Sequence, residues 1–147
     1  MGAFGSWFDT TTQLNPVGDA TNIMTFDHRG DTRGVTVEHG SKITFAQGGT
    51  YNIQFSAQAD KTDSGNDDFE IWLTKNSRDV DFSNTAVTIN GNNAKVVASW
   101  NFFVTVSAGD YVELNWASAD SDLRLYAQPA GSRPGIPSVI LTVNQVQ

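Results

Sequence analysis

The densest run of metal-ligating side chains in the sequence is Asp60-Lys61-Thr62-Asp63-Ser64-Gly65-Asn66-Asp67-Asp68. Hard divalent cations take several oxygen ligands, and Asp60, Asp63, Asp67 and Asp68 could supply them. The run does not keep the EF-hand register: with Asp60 first, the closing bidentate Glu is replaced by Ile71. A solvated acidic turn has the same composition, so calcium is the one ion suggested and a plain turn is the competing reading. Catalytic chemistry is sparser still. His28 and His39 are the only histidines. Asp27 and Asp31 flank His28, which also describes a charged loop. No Gly-x-Ser-x-Gly elbow occurs to present a nucleophile. A zinc site would need several His or Cys at ligand spacing, and the chain has no Cys. No phosphate-cradling glycine loop is present. The expectation is a protein that is not an enzyme and carries no cofactor.

Two other charged features are readable. Arg29-Gly30-Asp31 is an integrin-type tripeptide and equally a glycine turn between strands. Arg29, Arg33 and His39 form the one local basic cluster. Exposed ion pairs contribute about 0–1 kcal/mol each, so this cluster would tune docking rather than drive it.

These residues need a frame. The chain has 147 residues, enough for one domain with its own core. A formal net charge of −7 argues against a general nucleic-acid partner, which would require a basic stripe. No long apolar run suggests a membrane span. The start, MGAFGSWFDTTTQLN, has neither a basic head nor an apolar stretch, so no secretory leader is expected there.

Apolar residues recur with a period of two, punctuated by Gly, Asn and Asp. Strands are expected at Ser6–Thr10, Asn22–Asp27, Gly34–Glu38, Lys42–Ala46, Thr50–Gln58 and Asp68–Thr74. Further strands are expected at Asp81–Ile89, Ala94–Ser107, Asp110–Ala117, Asp122–Ala127 and Pro137–Val146. Asn90-Gly91 carries the hairpin-turn signal, and Asn76-Ser77 and Gly109-Asp110 mark other turns. Many short strands at this spacing predict an all-β sandwich of two antiparallel sheets. Residues 1–15 read as an arm that docks a partner through Phe4, Trp7 and Phe8, and residues 16–147 as the domain.

Alternation assigns a core face to Tyr51, Ile53 and Phe55, to Phe69, Ile71 and Leu73, and to Val96 through Val106 by twos. It leaves Trp72, Val97, Phe103, Tyr126 and Ile140 on faces whose other members are polar. Single exposed apolar residues need no explanation. A cluster of them would exceed the patch size that monomers usually tolerate and would mark an interface.

Phe45-x-x-x-Gly49-x-Tyr51-x-Ile53-x-Phe55 resembles the C1q signature, with Ile53 in place of the usual middle aromatic. Ala108-Gly109-Asp110-Tyr111-Val112-x-Leu114 resembles a later strand start of the same family. The ending Pro137-Ser138-Val139-Ile140-Leu141-Thr142-Val143 and the block Gln54–Asn76 are similar to bacteriophage structural proteins with C1q/TNF-like heads. The resemblance runs from about Phe45 onward. It implies a jelly roll of about ten strands, packed as a homotrimer about a three-fold axis. The strands of Tyr51 and Tyr111 and the last strand would supply axial contacts. The interface set is then Tyr51, Trp72, Val97, Phe103, Tyr111, Tyr126 and Ile140. Some C1q-like trimers hold calcium at loop ends, which is the family's bearing on the Asp60–Asp68 run. No Gly-x-y collagen repeat occurs. The implied role is a virion structural protein, assembled in the host cytoplasm: a capsid decoration (cement) protein whose partner is the major capsid protein. The alternative is a tail-fibre or spike head that grips host glycans.

Overall fold

The computed structural model describes residues 2–147, and among them every regular element is a strand. In chain order these are β1 (Phe4–Asp9), β2 (Asn22–Ile23), β3 (His28–Arg33), β4 (Val35–Glu38), β5 (Lys42–Phe45), β6 (Gly49–Lys61) and β7 (Asn66–Lys75). They continue with β8 (Arg78–Asp79), β9 (Thr85–Asn90), β10 (Lys95–Val106), β11 (Tyr111–Ser118), β12 (Leu123–Leu125) and β13 (Val139–Gln145). Among the described residues no helix is long and apolar enough to cross a membrane.

The strands form two antiparallel sheets. One runs β10-β6-β13-β1-β3, with β12 also on β6; the other runs β4-β5-β11-β7-β8, with β2 on β11 and β9 on β7. The chain changes sheet at every link except β4–β5, β7–β8, β8–β9 and β12–β13, so most sequence neighbours face each other across the core. That alternation between sheets is the jelly-roll topology.

Burial follows the period of two. Tyr51, Ile53, Phe55, Ala57 and Ala59 of β6 meet Phe69, Ile71 and Leu73 of β7 and Val112, Leu114 and Trp116 of β11 across the sandwich. Leu141 and Val143 of β13 complete the layer from the same sheet as β6. The signature strand sits at the centre of this core. The Phe45 and Tyr51 rings approach to 4.4 Å, and the Tyr51 hydroxyl donates to the Gln47 carbonyl at 2.8 Å.

Several expectations need correction. Residues 2–15 are not an arm. β1 lies inside its sheet, antiparallel to β13 on one side and to β3 on the other. Trp7 is buried in the core at 3% exposure, because its indole lies over Gly5, where a Cβ would collide with the ring. β3 was not expected, since HRGDTR has no apolar alternation. Its backbone pairing to β1 makes the strand, and Gly30 fits beside the Ser6 hydroxyl where a side chain would not. Arg29-Gly30-Asp31 is therefore extended edge strand, not a turn. Asn90-Gly91 does not close a hairpin: β9 pairs with β7 and β10 with β6, so the link crosses between sheets. The tight hairpin is β7–β8, where Asn76 and Ser77 both take positive φ (51° and 67°), as a type I′ turn requires.

Candidate functional site

The outward side of the first sheet has an unusual composition. Across β10, β6 and β13 the outward residues pair in rows: Val97 with Gln58, Ser99 with Ser56 and Ile140, Asn101 with Gln54 and Thr142, Phe103 with Asn52 and Asn144. None of these side chains is ionisable, in a chain with sixteen Asp and Glu and nine Lys and Arg. The next row, Lys95 with Asp60, is an ion pair at 3.8 Å that bounds the uncharged rows at one end, with the Lys95 ammonium 5.0 Å from the Tyr126 ring centre. Phe103 is 67% exposed, Val97 56% and Ile140 43%. Phe8 of β1 extends the Ser99–Ile140 row, and Tyr126 lies beside Gln58, whose carbonyl accepts its N–H at 2.8 Å. β10 ends the sheet, so this face also borders an open strand edge. Val97, Phe103, Tyr126 and Ile140 thus share one sheet face.

The rest of the interface set does not join them. Tyr51 has 0% exposure and points into its own core, so it has no surface to offer a second copy. Alternation had already put it on the apolar face; the error was to read an interface role onto a core position. Trp72 and Tyr111 are outward, but on the other sheet. Tyr111 is held there by the Lys42 ammonium, 4.8 Å from its ring centre, and by a hydrogen bond with Ser77. Trp72 donates from Nε1 to Asp79 at 2.9 Å. It lies in a groove of about 760 Å³ whose walls include Asn66, Asp68, Glu70 and Asp120. This outward tryptophan therefore sits among carboxylates, far in character from the uncharged face.

The acidic run splits into three. Asp60 is buried and takes two hydrogen bonds from Arg124, at 2.8 and 3.2 Å. Asp68 accepts from Thr88 at 2.6 Å. Asp63 and Asp67 instead converge with Asp120, one ligand oxygen of each lying within 4.8 Å of the others. Sequence spacing hid Asp120, which arrives from the β11–β12 turn. It also hid Lys61, whose fully buried ammonium lies 3.0 Å from Asp67 and 3.8 Å from Asp63 and also donates to the Gly65 carbonyl. Lys61 keeps the inward parity of Tyr51 through Ala59, but its charge reads as outward at a strand end, and only the carboxylates that the fold brings to it explain its burial. Its ammonium places a cation beside Asp63 and Asp67.

Burial raises the Asp120 carboxyl above its ordinary value. The Asp122 N–H pulls it back, but a hydrogen bond to Asp67 and the charges of Asp67 and Asp63 push it up again. A carboxyl raised in the folded state holds its proton more tightly there, so its contribution is present in acid and is lost as pH rises through the raised value. Asp120→Asn should therefore raise the urea midpoint at pH 7, and the gain should vanish below the ordinary Asp range. A lower midpoint at pH 7 would contradict this reading of the cluster.

At the opposite end of the first sheet, Phe8 stacks on His28 with ring centres 5.0 Å apart. His28 Nδ1 lies 2.8 Å from Asp27, and the Thr10 N–H and hydroxyl both donate to the same carboxylate. Burial would raise Asp27, but these hydrogen bonds and the charge of His28 outweigh it and hold the carboxyl at about 2, against an ordinary 3.8. Its stabilisation is complete above the ordinary value and is lost as pH falls towards about 2. Because a third of the side chain is exposed, screening limits that contribution to about 1 kcal/mol or less. The histidine–aspartate pair thus fixes the edge of the sheet.

Beside Phe8 lies an apolar cavity of about 530 Å³, lined by Ile136, Pro137 and Ile140 and walled by residues 128–130. The Gln128 and Ile136 backbones hydrogen-bond to each other at 2.8 Å in both directions, which pins the loop as a rim.

No family model matches the sequence, and no curated protein does. The fold has solved counterparts. The globular domain of zebrafish complement 1qA protein superposes with a TM-score of 0.59 at 12% identity, over 99% of this chain and 98% of that one. At that identity the likeness shows the fold. The chain has a C1q-like jelly roll.

Proposed function

We propose that this chain is a non-enzymatic virion structural protein, a homotrimeric decoration protein that cements a bacteriophage shell at capsomer junctions. The observation that carries the self-association is the uncharged face of the first sheet, with Val97, Phe103 and Ile140 exposed on it. Interface cores are depleted in charge while surfaces are not. A strand as long as β10, left as an open edge, is a liability unless another chain covers it. The sequence resemblance to trimeric C1q/TNF-like phage heads supplies the stoichiometry and the setting, and the shared fold agrees with it. The acidic sheet then faces outward, away from the axis. The role calls for no cofactor, nucleic acid or membrane. Its partners are its own copies and the major capsid protein, and its place is the capsid surface.

The test is to add the purified chain to empty, expanded capsids lacking it. Saturable binding and a higher capsid melting temperature are expected. Absence of both would remove the cement role. The groove floored by Trp72 favours a second reading, since an aromatic platform flanked by Asn66, Asp68 and Glu70 is a chemistry that holds sugars. On that reading the trimer is a tail-fibre head, and the chain binds host cells and blocks infection instead.

A further inference from the structure

The uncharged face is not self-similar, and its two sides differ in a complementary way. On the β10 side an apolar side chain projects: Val97 is more than half exposed. On the β13–β1 side there is an apolar recess, the cavity of about 530 Å³ bounded by Phe8, Ile136, Pro137 and Ile140. The two lie at the same height along the strands. Val97 pairs with Gln58, and the Gln58 N–H donates to the Ser138 carbonyl at 2.8 Å, so Val97 shares a row with Ser138, midway along the chain between Ile136 and Ile140. Within one molecule they cannot meet. β6 stands between β10 and β13, which puts them about 10 Å apart at the usual strand spacing of about 4.8 Å.

We infer that Val97 of one copy seats in the Phe8–Ile136–Ile140 recess of the next, an assignment that rests on the trimer reading. A rotation axis running along the strands carries β10 of one copy over β13 and β1 of its neighbour without changing row. Projection and recess are different patches, so the contact is head-to-tail. Such contacts repeat and must either close a ring or extend as a fibre. A two-fold dimer would instead bring the same patch to itself, projection against projection. The recess is apolar and its rim uncharged, so an aliphatic side chain is the occupant it fits, and the one charge of β10, Lys95, is turned to Asp60 and the Tyr126 ring beside it. A capsid peptide or a small apolar ligand is the rival occupant.

The chain has no cysteine, which makes the test clean. A disulfide forms where Cα atoms approach to roughly 4.4–6.8 Å. Val97→Cys/Ile136→Cys, oxidised after assembly, should give a covalent species of three times the protomer mass on non-reducing gels. Neither single variant should crosslink. If the unmodified protein is trimeric but the double variant stays uncrosslinked, the recess holds something else and the seating is wrong while the trimer stands. If Val97→Cys alone yields covalent dimers, the contact is two-fold and the seating is wrong. If the unmodified protein is monomeric, both the seating and the trimer reading fail.

Discussion

Replacing Trp7 with alanine is expected to cost about 3–5 kcal/mol of folding free energy. The indole is buried between β1 and the opposite sheet and covers Gly5, so its loss leaves a cavity that the backbone cannot close. A domain of this size has about 5–15 kcal/mol in hand, so the variant would be close to unfolding at physiological temperature. Phe4→Ala is the comparison. Phe4 lies on the same strand but is more than a third exposed, and should cost less than about 1 kcal/mol. Urea unfolding of both variants at one fixed protein concentration measures the difference. Equal, small effects would mean that the N-terminal segment is an arm after all.

The second large effect concerns association rather than folding. Val97→Asp with Phe103→Asp places two carboxylates among rows whose other side chains are all uncharged, the carboxylate of the adjoining row, Asp60, being buried and paired with Lys95 and Arg124. Both positions are exposed in the protomer, so the core is untouched and the far-ultraviolet circular dichroism should be unchanged. Burying unpaired charge in an interface costs several kcal/mol. A penalty of about 4 kcal/mol is a thousandfold in dissociation constant. The particle mass by light scattering should fall to one third at micromolar concentration. An unchanged mass would show that β10 lies outside the interface.

Much of this molecule can be read from residue order, and the rest fails for identifiable reasons. Alternation places the central strands β6, β7, β10, β11 and β13 because both their faces are chemically distinct, and a slip of one residue would turn the core to water. It also finds Val97, Phe103 and Ile140 as outward apolar residues. It does not tell which sheet an outward residue belongs to, so Trp72 is grouped with residues on the other side of the sandwich, and the family resemblance adds Tyr111 to them. β3 escapes because its side chains are polar and only pairing with β1 makes it a strand. Trp7 was misassigned for the opposite reason: a short aromatic segment near a terminus looks free until its neighbours, β13 and β3, are in place. The carboxylate cluster shows the same limit. Asp63 and Asp67 are close in sequence, whereas Asp120 and the inward ammonium of Lys61 join them only through the fold.

The uncharged sheet face carries the functional reading, and the mass of the assembled particle tests it most directly. Sedimentation equilibrium of the unmodified protein, across concentrations from nanomolar to tens of micromolar, should give three times the 15.9 kDa protomer mass. A single species of 15.9 kDa throughout that range would contradict the account.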